Sequence, residues 1–168
     1  MNLMPEADLS GHELLGIYLN DHLVGASAGV ELFRRSARAQ DDSAIRARIT
    51  ELAEEVAEDR EQLLALMRDL EVPVQQHRVV VGWIGEKVGR LKPNGTWVRR
   101  SPLSNVVELE AMRMGAEGKR CLWRLLLQVA QHEPRLSQQT LTELEQRATA
   151  QIEALEAMRL QAAAVLQP

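Results

Sequence analysis

Aromatic side chains are scarce in this chain of 168 residues: phenylalanine, tyrosine and tryptophan together make up 3%. With hydrophobic residues at 45%, leucine, alanine and valine must fill the core. That mixture suits packed helices better than a sandwich or a barrel, whose strands favour aromatic and β-branched residues. A single cysteine, Cys121, excludes an internal disulfide and fits a reducing compartment. No apolar run reaches the roughly 20 residues that a membrane span requires. The N-terminal stretch has no basic start followed by an apolar segment, so no secretory signal is visible. A soluble, cytoplasmic protein is expected. The net charge of −4 means that a nucleic-acid or membrane role would need a local basic patch. At this length one domain spanning 1–168 is expected, able to bury about 70% of its extended surface.

What is present is helical periodicity. The stretch Ser10 to Arg38 opens with Ser10 and Glu13 at capping-box spacing and closes with Arg34, Arg35 and Arg38. Leu14, Leu15, Ile17, Leu19, Leu23, Val24, Val30, Leu32 and Phe33 fall on nearly every face, as on a helix buried by several neighbours. A second helix, with Ser43 as its expected N-cap, carries Ile45, Ile49, Leu52, Val56, Leu63, Met67 and Leu70, and Pro73 stops it. Asp59 stands where that stripe expects an apolar residue. A third helix follows Pro102, with Ser104 as its expected cap and Val107, Ala111, Met114, Gly118, Cys121, Leu122, Leu125 and Val129 as its expected core stripe. Beside it, Glu110, Arg113, Glu117, Arg120 and Arg124 form a charged stripe typical of a salt-bridged edge. His132-Glu-Pro134 breaks this helix, and a fourth begins near Ser137 or Thr140 with Leu141, Leu144, Ala148, Ile152, Leu155, Ala162 and Leu166 as its stripe.

Between the second and third helices, residues 72–101 have another texture. Val80, Val81, Ile84, Val88 and Leu91 fit one face of a short extra helix, and Lys92-Pro-Asn-Gly95 is turn chemistry. Helices of about 25 to 29 residues run roughly 40 Å, so a segment this long can climb the bundle. It would leave the second and third helices parallel. Short hairpin, long crossover, short hairpin resembles the ferritin-like four-helix bundles. The fold class expected is therefore all-α, a ferritin-like four-helix bundle with a short extra helix in its crossover.

That resemblance implies two iron or manganese ions held by a Glu on each of two helices and a Glu-x-x-His on each of the others. None of the four histidines here has a Glu three residues before it. The nearest remnants of a metal site are Asp21, His22, Asp59 and Glu117. The expectation is a degenerate member with no cofactor, a non-enzymatic structural or interaction module open to a homo-oligomer or protein partner. A di-metal carboxylate protein with atypical ligands, binding iron or manganese, is the alternative. A polar core layer is expected at mid-height, with Asp21 and Asp59 level and Arg120 as their cation. A buried Asp21 would find Tyr18, Ser27 or an arginine.

Other clusters point elsewhere. Arg78, Lys87, Arg90, Lys92, Arg99 and Arg100, interleaved with Trp83 and Trp97, could bind an anionic polymer, although nucleic acid is disfavoured for an acidic chain. His12, His77 and His132 fall at one end of the bundle, where zinc could be held. Gly82-x-x-Gly85-x-x-x-Gly89 matches neither phosphate-loop pattern. Gly25 and Gly29 make a G-x-x-x-G that predicts close packing, with Trp83, Trp97 or Trp123 filling the space and Gly25→Leu clashing.

Overall fold

A computed structural model describes residues 9–75 and 103–166, whose regular elements are all helices, with no strand among them. Helix α1, Gly11–Arg38, starts at the capping box read from the sequence: the Ser10 hydroxyl accepts from the Glu13 amide, and the Glu13 carboxylate accepts from the Ser10 amide at 2.8 Å. Helix α2, Ser43–Asp69, is capped not by Ser43 but by Asp42, whose carboxylate accepts from Ala44 and Ile45 amides at 2.8 and 3.0 Å. Its end is a Schellman turn. Val72 donates to the Met67 carbonyl and Glu71 to that of Arg68, with Glu71 in the left-handed region at φ 57°. Helix α3 spans Leu103–Val129, so Ser104 lies inside it instead of capping it, and helix α4 spans Gln138–Ala162 with Ser137 as its cap; a 3₁₀ turn, Ala163–Leu166, follows, with Leu166 exposed and not on the core stripe.

Two apolar clusters fix the directions of the helices. One gathers Leu19 and Leu23 from early α1, Leu63 to Leu70 from late α2, Leu122 to Leu126 from late α3, and Leu141 to Ala148 from early α4. The other gathers Val30 to Ala37, Ile49 to Val56, Leu109 to Ala116, and Ile152 with Leu155. Each hairpin is therefore antiparallel, while α2 and α3 point the same way. The Schellman turn of α2 and the first residue of α3 lie at opposite ends. Pairs α1–α2, α3–α4, α1–α3 and α2–α4 are neighbours. The connection, including the short helix expected over Val80 to Leu91, lies outside the described residues. No described helix is long and apolar enough to cross a membrane.

The sequence stripe on α3 is corrected here. Val106, Leu109, Met112, Ala116, Leu122, Trp123 and Leu126 are buried, whereas Val107, Met114, Cys121 and Leu125 are exposed. The helix is turned by about one residue from the expected phase, because apolar side chains occupy more than one of its faces. The charged stripe does form an edge. Glu110 pairs with Arg159 at 3.9 Å, Arg113 with Glu156 at 3.1 Å and Arg124 with Glu145 at 3.1 Å. Each step up α3 is matched by an equal step down α4, so these pairs read out one register.

Candidate functional site: a buried ion network at mid-height

Between the two apolar clusters lies a polar layer centred on Asp59. The α2 stripe carries this residue inward because Val56 and Leu63 on either side must face the core. Its side chain is 1% exposed. A carboxylate so placed stays charged only with good donors or cations. It has both. Lys119 Nζ on α3 donates to Oδ2, and Arg147 Nη2 on α4 donates to Oδ1. Gln151 Nε2 donates to Oδ2 at 3.3 Å and to Glu55 at 2.9 Å, while its Oε1 accepts from Lys119. Arg147 also reaches Glu58 at 3.3 Å.

The network joins α2, α3 and α4 through charged side chains, and Lys119 is the costly member. Its side chain is 13% exposed. Burial pushes the Lys119 ammonium below its ordinary range, and the charge and hydrogen bond of Asp59 pull it back. Arg147, 31% exposed, is the less deeply buried of the two cations. Ionic groups of both signs thus close around each other, with Glu55 and Glu58 at the outer margin.

The sequence-predicted layer is only partly assembled. Asp59 is central. Asp21 is exposed on α1, so the expected buried carboxylate with a Tyr18 or Ser27 partner is not found; Ser27 instead donates to the Leu23 carbonyl and accepts from Arg60 at 2.9 Å. Arg120 faces away from Asp59 and pairs with Glu117 at 2.6 Å. The cation on α3 is its neighbour Lys119, about 100° around the helix. His22 is half-buried beside Tyr18, ring centroids 4.5 Å apart, and burial lowers its pKa against the opposing pull of Asp21. His12 contacts the Leu70 carbonyl at 3.0 Å, His132 is exposed, and His77 lies outside the described residues. So do Arg78, Lys87, Arg90, Lys92, Arg99, Arg100, Trp83 and Trp97.

Lys119, Arg147 and Gln151 escaped the sequence reading. Lys119 continues the true α3 stripe at a three-residue step from Ala116, and Gln151 lies between Ala148 and Leu155 on α4. Polar residues inside an apolar stripe were the available signal, as they were for Asp59.

As a metal centre the set fits poorly. Both oxygens of Asp59 are taken by cations, Glu117 by Arg120, and Asp21 stands apart. Among the described residues no group of three His, Cys, Asp or Glu side chains could hold an ion. No protein-family model, curated protein or solved structure matches the chain.

Proposed function

We propose that this chain is a degenerate ferritin-like bundle, a non-enzymatic structural or interaction module in which protein cations stand where a di-metal protein places its ions. The up-down hairpins with α2 and α3 in the same direction support the ferritin-like part of this reading. The observation that carries the functional part is the double engagement of Asp59 by Lys119 and Arg147. An ammonium and a guanidinium supply the positive charge that a metal would otherwise bring. With both its oxygens engaged by cations, Asp59 is poorly placed to ligate iron or manganese.

Elemental analysis of protein purified without chelator, paired with thermal unfolding in the presence and absence of chelator, tests this. The expected outcome is no stoichiometric iron or manganese and an unchanged unfolding midpoint. About two ions per chain, the complement of the di-metal bundles, lost in Asp59→Ala, would replace this reading with the di-metal one.

A further inference from the structure

The chain leaving α2 is laid along one stripe of α1. His12, Gly16 and Asn20 stand four residues apart, so they share a face of that helix. The His12 ring contacts the Leu70 carbonyl at 3.0 Å, and Val72 Cγ1 lies 3.6 Å from where a Cβ on Gly16 would stand. Gly25 and Gly29, where the sequence predicts close packing, have no heavy atom within 4 Å of that point among the described residues. At the third position of the stripe, the Asn20 side-chain amide donates to the Pro73 carbonyl at 3.1 Å and accepts from the Gln75 amide at 2.8 Å. One residue of a neighbouring strand would do the same, taking a carbonyl and an amide two residues apart. The Asn20 NH2 group also donates to the Gly16 carbonyl at 2.8 Å, so both ends of the side chain are engaged.

Burial, exposure and direction give this contact a role. Asn20 is 3% exposed, so leaving any of its bonds unmade would be costly. Pro73, Val74 and Gln75 are exposed, and of the residues after Leu70 only Val72 joins the nearby apolar cluster. Among the described residues, therefore, hydrogen bonds to one buried side chain hold Pro73 to Gln75 in place, where packing does not. A segment with so few buried apolar contacts opens at a lower cost than the core. Running from His12 towards Asn20, it heads back against the direction of α2. It points to the end where Ser36 and Gln40 of α1 meet Glu108 and Asn105 of α3 at 2.8 and 3.3 Å. That is the end from which α3 starts.

We propose that Asn20 is a clasp, which holds Pro73 to Gln75 as a strap on α1, aims the chain towards the start of α3, and lets the strap open without unfolding the bundle. The amide suits this task because it is donor and acceptor at once and carries no charge to bury. The proposal does not depend on how the ion network at Asp59 is used.

Hydrogen exchange of the full-length folded protein, followed by NMR at the Gln75 amide, reads the clasp directly. In the parent this amide should be protected, at a rate that low urea leaves unchanged. The Leu63 amide in mid-α2 should instead speed up with urea, because it exchanges through global unfolding. Asn20→Leu keeps a buried side chain of similar size and removes every bond of the clasp. It should speed Gln75 exchange about 5- to 100-fold, the worth of two hydrogen bonds, with helicity kept. Asn20→Asp adds a chemical test. Its ionised carboxylate would face the Gly16 and Pro73 carbonyls, which only accept, whereas the protonated acid can donate to one of them. After correction for intrinsic exchange, its strap should be open at about pH 7 and close as pH falls towards about 4, while that of Asn20→Leu stays open throughout. A Gln75 amide that exchanges freely in the parent would overturn the proposal. So would a Gln75 rate that follows Leu63 in urea, or an Asn20→Asp strap no more responsive to pH than that of Asn20→Leu.

Discussion

A glycine in mid-helix costs backbone entropy, and usually something is gained in exchange by close approach. Gly29 has no such compensation among the described residues, since the space its Cβ would enter is open there. Gly29→Ala is therefore expected to stabilise the protein by about 0.5–1 kcal/mol in urea unfolding. A loss of stability would show that the space is occupied in solution. His22 makes the second prediction at this scale. Burial holds its pKa below 6.5, so as pH falls the unfolded chain takes up the proton first. The stability carried by neutral His22 is full above pH 6.5 and drains as pH falls through the window just below it. Comparing unfolding midpoints of the parent and His22→Gln across that window should show the two converging with acid. Parallel curves would contradict the burial of the ring.

The elements show where local chemistry was legible. Ser10 with Glu13 and the stop at Pro73 were visible because caps and breakers act within a few residues, without tertiary context. Asp59 was legible as an interruption in a clean stripe. The phase of α3 was not, since Val107, Met114 and Leu125 put apolar side chains on a second face of the helix. Height along a helix follows from counting residues, and the count placed the α3 cation within one position of Lys119. Azimuth follows from which apolar face wins. There a one-residue error exchanged Arg120 for Lys119. Glu71 is the element-scale test. It holds the left-handed position of the α2 Schellman turn, where glycine pays no steric penalty. Glu71→Gly should stabilise the fold by about 1 kcal/mol, a gain the loss of its exposed Arg135 contact would barely reduce. Destabilisation in chemical unfolding would contradict that conformation.

At the scale of the whole molecule, the account rests on the direction of four helices and the charge held between them. Spin labels at Asp69→Cys and Leu103→Cys, in a Cys121→Ser background, should lie about 40 Å apart, the length of one such helix. A separation under about 20 Å would put α2's end beside α3's start, leaving an all-antiparallel bundle. The central claim is that the protein's own cations neutralise Asp59, and its apolar surroundings make the claim measurable. Removing one partner of a buried pair leaves the other uncompensated, at about 3–5 kcal/mol. Removing both should cost less than the separate losses together. A double-mutant cycle on Asp59→Ala and Lys119→Met, read by chemical unfolding, measures that difference directly. A coupling of about 1–3 kcal/mol is expected. Strictly additive losses, with no coupling between the two positions, would contradict it.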